Sequence, residues 1–206
     1  MRGLMNRICT IIGNIRLNRM KRIWKNKLQN HDFSIICSSC IGGCIYHDLG
    51  LPFLSPTINL FMAQNDLIKF ATKIKYYCSL KLRFISTGKP YPVAMLDDIV
   101  ISFNHYDSDQ EAEDAWERRK ARINYDNLYV IFYYRDGYSI DELREIEAAN
   151  YRNVIVLSHK PIEMEYALCL NGNGRSDQNY MEKDIFGIKT FEKEWDFVSW
   201  LNSTKR

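Results

Sequence analysis

Residues 33–50, FSIICSSCIGGCIYHDLG, restrict the fold more than any other stretch of the chain. Phe33, Ile35, Ile36 and Cys37 make an apolar run that predicts a buried strand over 33–37. Ser38 and Ser39 break that run, Cys40 stands at the bend, and Gly42 and Gly43 follow at the start of a helical pattern. Two adjacent glycines allow backbone to approach backbone closely where the helix begins. A strand, a tight turn and a helix in this order form the basic unit of an α/β domain. A thiol at the turn would feel unpaired amide N–H groups and the positive end of the helix dipole, both of which favour the thiolate. Cys40 is therefore the candidate nucleophile, set against the ordinary fate of a free cysteine as a small buried hydrophobe.

The rest of the chain continues the alternation. Strands are expected at 33–37, 58–62, 81–85, 98–103, 128–134, 154–157 and 166–170, with helical patterns between them. Ser108 followed by Glu111 predicts a capping box that opens a helix running to about Ile123, and Ser139 followed by Glu142 predicts another that ends near Asn150. Leu67, Phe70, Ile74 and Tyr77 mark one face of a third helix that starts near Gln64 or Asn65. Phe191, Trp195, Val198 and Leu201 mark a last one. The predicted class is α/β, a single three-layer Rossmann-like domain over 31–206 with a mainly parallel central sheet. With 206 residues the chain is long enough to bury roughly 70% of its unfolded surface in one core. The polar, glycine-containing segment 171–179 is the expected loop.

In open α/β sheets ligands sit beyond the carboxyl ends of the strands. Four loops carry reactive side chains to that edge in this reading: Ser38, Ser39 and Cys40; Asn104, His105, Tyr106 and Asp107; Arg135 and Asp136; Ser158 and His159. A cysteine nucleophile needs a base within hydrogen-bond reach and a group that orients the base. His105 is the best base offered, with Asp107 or Asp97 to orient it. A histidine at a strand end serves equally as a capping or core residue, and sequence alone leaves both open.

The spacing Cys37-x2-Cys40-x3-Cys44-x2-His47 resembles metal ligation. Structural zinc sites, however, join two separated ligand pairs, and Cys37 belongs to an apolar strand, so no metal is expected. Arg119 and Arg122, three apart near a helix C-terminus, could together grip a phosphate or simply face solvent. Asp97 and Asp98 could hold a divalent ion with a sugar nucleotide, although neighbouring residues of a strand point to opposite faces.

Residues 1–30 hold eight basic residues and no acidic one, whereas the whole chain carries a formal charge of only +3. Ile8, Ile11, Ile12 and Ile15, then Met20, Ile23, Trp24 and Leu28, fall at helical spacing and predict a basic amphipathic helix over 1–30. Residues 1–28 would then either lie on an anionic membrane surface or pack an apolar stripe on the domain. No recognition motif accompanies the basic patch, which argues against a nucleic-acid partner. The six cysteines form no disulfide framework, and no targeting segment or long apolar run is evident. A cytoplasmic protein is expected, peripheral at the inner membrane if the helix binds lipid. Aromatic content of 13% suits a glycan groove, but rings of this kind mostly fill cores.

Three segments in this order, CSSCIGGCIYHDLGLPFLSPTINLFM, YPVAMLDDIVISFNHY and AEDAWERRKARINYDNLYVIFYYRD, resemble a bacterial DUF family of exopolysaccharide-biosynthesis proteins. The resemblance covers about 33–159 and implies an α/β protein of capsule or exopolysaccharide assembly. A family of capsule acetyltransferases that binds coenzyme A is similar in one respect, a strand followed by a short Asn-Cys turn whose thiol works with a histidine. Ser39 stands here where both groups usually have asparagine. Together these resemblances imply an O-acyltransferase that uses acyl-CoA and a glycan or lipid-linked sugar acceptor. Cys40 would attack the thioester, His105 would move the proton and Asp107 would orient His105. The turn of Ser39, Gly42 and Gly43 would expose amides to the oxyanion, and Arg119 and Arg122 would bind the phosphates of coenzyme A or of a lipid-linked sugar. The alternatives are a glycosyltransferase-like enzyme using a sugar nucleotide and a non-catalytic glycan-binding assembly factor.

Overall fold

The computed structural model describes residues 2–37, 39–134, 139, 141–144, 153–171 and 179–203. The long helix α1 (Arg2–Lys27) leads into β1 (Ser34–Cys37) and α2 (Cys40–Leu49). Then follow α3 (Gln64–Thr72), α4 (Ile74–Ser79), β2 (Arg83–Phe84), β3 (Val93–Leu96), β4 (Ile99–Ser102) and α5 (Asp109–Lys120). The chain continues through β5 (Leu128–Tyr134), β6 (Asn153–Ser158) and β7 (Ala167–Cys169), a 3-10 turn at Asn179–Met181, α6 (Thr190–Glu194) and α7 (Phe197–Asn202).

Among the described residues the class is mixed α/β, with an all-parallel sheet in the order β1-β5-β6-β7 and a separate antiparallel sheet in the order β2-β3-β4. Ile36 pairs with Val130 and Ile131 with Ile155, so the large sheet is in register through its apolar centre. Alternate residues of each strand enter different cores, as the two-residue strand period requires. Ile36, Val130, Phe132 and Val156 face α3, α4, α5 and the small sheet. Ile35, Cys37, Tyr129, Ile131, Ile155 and Leu157 face α2, α6, α7 and the end of α1. Both faces of the parallel sheet are therefore covered, which explains why its strands read as continuous apolar runs.

The small sheet departs from the expected one. The expected strand at 98–103 is β4, and it joins no parallel neighbour; it folds back on β3 as a hairpin whose pairs include Leu96 with Ile99. Asp97 and Asp98 form the turn, Asp97 at a φ of 56°. Strand β3 was not among the expected ones, although two apolar runs separated by two aspartates are a hairpin signal. The expected strand at 58–62 is reduced to a single bridge between Phe61 and Ser102.

The expected helices form with breaks. Half of the Ser108 capping box forms: its hydroxyl accepts the Glu111 N–H at 3.2 Å, but the Glu111 carboxylate accepts the N–H of Asp107, one residue before the N-cap. The third helix divides at Lys73 into α3 and α4, with Leu67, Phe70, Ile74 and Tyr77 all buried. Asp196 divides the last one, because its carboxylate caps α7 by accepting the Ser199 N–H at 3.1 Å. The helix opened by Ser139 is described only at 141–144, where Leu143 is buried; its expected end near Asn150 lies outside the described residues. So do Ser38, Arg135, Asp136 and residues 172–178 of the expected loop.

Several carboxylates tie the fold to pH. The Ser199 amide and hydroxyl hold the Asp196 carboxyl below its ordinary 3.8 despite partial burial. Asp184 is also lowered: burial opposes ionisation, but the Ile188 and Phe186 amides and Lys193 outweigh it. Groups lowered by folding contribute stability that is present above their unfolded value and is lost as pH falls through the folded one. Thermal melts are thus expected to hold steady down to about pH 4 and to fall below it, with Asp196→Ala flattening part of that fall. A midpoint insensitive to pH in this acid range would contradict the assignment.

Candidate functional site

The β1–α2 junction is built as a tight crossing. An added Cβ on Gly42 would lie 2.5 Å from the Cys37 sulfur and 3.1 Å from Ile58 Cδ1, so only glycine admits the strand end and the 57–60 segment at this depth. Gly43 is nearly as confined, with Ile58 Cγ2 at 3.3 Å and Asn59 Oδ1 at 3.5 Å from such a Cβ. Ser39 is the N-cap of α2 in extended conformation and gives no side-chain hydrogen bond to the first turn. Cys40 is the first residue of α2 and is the exposed one of the six cysteines, all of them free thiols.

The buried sulfur of this junction is that of Cys37. Burial pushes its thiol up to about 11, more than its contacts with the Ser39 and Gly42 backbone lower it. Burial likewise pushes Cys78 up to about 11 and raises Cys44. Mass mapping after a brief thiol-alkylating pulse on the folded protein is expected to find Cys40 modified first, with Cys37 and Cys78 modified only on unfolding. Preferential labelling of Cys37 would overturn this order. Among the described residues no cluster of three His, Cys, Asp or Glu side chains is placed to hold a metal ion.

His105 and Asp107 lie between β4 and α5, both exposed. Their strand, β4, belongs to the antiparallel sheet and not to the parallel sheet whose strand β1 leads to Cys40. Beyond the end of α5 the Asn124 N–H donates to Ser34 Oγ at 2.9 Å, beside the start of β1. Cys40 is the first residue of α2 and His105 lies just before α5, two helices whose buried apolar residues belong to the clusters on opposite faces of the parallel sheet. Among the described residues no hydrogen bond joins the side chains of Cys40, His105 and Asp107. Asp107 lines a cavity of about 500 Å³ together with Ser86, Thr87, Lys89, Tyr91 and Ser108; Cys40 and His105 are outside its lining.

The two arginines are separated. Arg119 is buried, and its Nη1 donates to the Ile58 carbonyl at 2.7 Å and to the Tyr106 hydroxyl. Its guanidinium lies 5.1 Å from the Phe53 ring centroid, so α5 is clamped to the segment that covers Gly42 and Gly43. Arg122 is exposed beyond the end of α5. The Tyr106 and Phe53 partners of Arg119 were not legible in the sequence, because ring and cation are brought together across long separations. The aspartates of the hairpin turn are also engaged. Asp98 accepts from Lys69 and Tyr77, each at 2.7 Å, and Asp97 accepts from Tyr76 at 2.7 Å. Those hydrogen bonds, first from Lys69 and then from Tyr77, hold the Asp98 carboxyl below the usual range.

A family model described as a domain of unknown function, DUF1919, matches residues 11–202. The chain belongs to the DUF1919 family. An uncharacterized protein of Haemophilus influenzae is 32% identical over 186 residues, covering 89% of this chain and 90% of that one. In this DUF1919 chain the family match includes β1, the Cys40 turn, α5 and the whole parallel sheet, and it ends at the last residue of α7. It begins inside α1, so the part of that helix that packs on the domain belongs to the family unit. Among the described residues no helix is long and apolar enough to cross a membrane.

Proposed function

We propose that this DUF1919 protein is a thiol-dependent O-acyltransferase acting in exopolysaccharide or capsule assembly, with acyl-CoA as donor and a sugar hydroxyl as acceptor. The observation that carries the reading is the position of Cys40: an exposed thiol at the first residue of a helix, beyond the carboxyl end of a parallel strand, with a cap that leaves the first-turn amides uncovered by a side chain. A helix N-terminus favours the thiolate and places N–H groups where an oxyanion develops.

In the first half-reaction the Cys40 sulfur attacks the thioester carbonyl and the C–S bond to coenzyme A breaks. The acyl group stays on Cys40, and the departing thiolate takes a proton from His105. In the second the acceptor hydroxyl loses its proton to His105 and attacks the acyl-enzyme, returning the Cys40 thiolate. Asp107 is the carboxylate assigned to orient His105. The reading requires the bound acceptor to stand between Cys40 and His105, and catalytic hydrogen bonds commonly tighten only in the reactive complex. The 53–60 segment held by Arg119 packs on the glycines of the Cys40 turn and supports it.

The sugar-nucleotide alternative is less well supported, because the Asp97 and Asp98 carboxylates are engaged by Tyr76, Tyr77 and Lys69 in an exposed turn. Purified protein incubated with labelled acetyl-CoA is expected to carry a hydroxylamine-labile acetyl group on the Cys40 peptide, absent from Cys40→Ala. Lack of any such adduct with acetyl or longer acyl donors would reject the reading. Stabilisation by nucleoside diphosphates with a divalent cation would transfer support to the alternative.

A further inference from the structure

We infer that the outward face of α1 seats the protein on an anionic lipid surface. The helix carries two apolar rows, and at 3.6 residues per turn they fall on roughly opposite sides. One row, Gly13, Leu17, Met20, Trp24 and Leu28, faces the domain. A Cβ on Gly13 would run into the Phe186 carbonyl, the Trp24 ring lies 4.9 Å from Phe197, Leu28 is buried, and Lys21 pairs with the buried Asp48 at 2.7 Å. The other row is uncovered: Met5, Ile8, Ile11, Ile12 and Ile15 are 65%, 48%, 59%, 47% and 65% exposed. Packing on the domain thus accounts for one row and leaves five large apolar side chains in water, well beyond the scattered surface residues of an ordinary domain.

The charge around that row selects its occupant. Arg7 and Arg16 flank the isoleucines and Arg19 and Arg22 continue the same side, all exposed and without an ion-pair partner among the described residues. No acidic residue occurs anywhere in 1–30. A second copy of the helix laid on this face would bring arginine against arginine with nothing to offset them. An anionic bilayer accommodates both features, taking the isoleucines below its headgroups and the guanidinium groups among its phosphates. Because the packed row lies opposite, α1 would lie flat in the interface with the domain above it. This inference is independent of the chemistry assigned to Cys40.

Co-sedimentation of the full chain with phosphatidylcholine vesicles, with and without phosphatidylglycerol, tests it. Binding is expected to be at least ~10-fold stronger to the anionic vesicles and to weaken as salt is raised. Ile8→Gln with Ile12→Gln should reduce that binding at least ~10-fold, and Arg16→Gln with Arg19→Gln should reduce it and flatten its salt dependence. Both pairs are exposed, so unchanged thermal melts will show that the fold is intact. Absence of vesicle binding, or equal binding to neutral vesicles, overturns the inference. A solution dimer abolished by the isoleucine pair would assign the face to a second copy, and polyanion binding indifferent to the isoleucines would assign it to electrostatics alone; either result also overturns it.

Discussion

Cys40→Ala is expected to lower acyl transfer at least ~1000-fold, the scale of loss when a covalent nucleophile is removed, while the fold remains intact. Cys40 is exposed, so little burial disappears with its sulfur. Stability should change by no more than about 0.5 kcal/mol, which for a chain of this size is roughly 1–2 °C in melting temperature. His105→Ala should follow with a loss of ~100-fold to ~10,000-fold, the range attributed to general acid–base catalysis. Steady-state rates with an acyl donor, measured beside thermal melts, separate chemistry from folding. Full activity in the alanine variant would remove Cys40 from the mechanism whatever became of the stability.

Arg119→Met should have the opposite signature, a large loss of stability that precedes any effect on ligand binding. The methionine keeps the aliphatic stem but abandons the Ile58 carbonyl and the Tyr106 hydroxyl, and it removes the cation from the Phe53 ring. Buried acceptors left without donors cost about 1–3 kcal/mol each, so a total near ~3 kcal/mol is expected. For a chain of about 200 residues that lowers the melting temperature by roughly 6–12 °C. Tyr106→Phe, which removes one acceptor and leaves the cation, should cost about 1 kcal/mol. An unchanged melt together with weakened acyl-CoA binding would return Arg119 to the anion-binding role that its spacing from Arg122 suggested.

Much of the architecture was legible in the chain. The strands at 128–134 and 33–37, the Ser108 N-cap, and the junction around Gly42 follow from residues close in sequence, where steric and hydrogen-bonding preferences act directly. The hairpin of β3 and β4 was missed although its Asp97–Asp98 turn signals it, because the aspartates were weighed as ligands and not as turn residues. The break at Asp196 shows a side-chain cap prevailing over a continuous apolar stripe. At the candidate site the exposure of Cys40 and the confinement of its glycines agree with a strand–turn–helix unit. The fate of Arg119 was hidden, since a helix-face arginine has the same local pattern whether it meets solvent, phosphate or the ring of Phe53.

By itself the sequence determined the α/β class, the order of most elements and the identity of the turn at Cys40, because periodicity, caps and glycines operate within a few residues. Only the tertiary structure decided that β4 leaves the parallel sheet, that Arg119 is an internal clamp, and that one apolar row of α1 is packed while the other faces outward. Such outcomes depend on which surfaces distant segments present to one another, and a local pattern carries no record of what lies across from it.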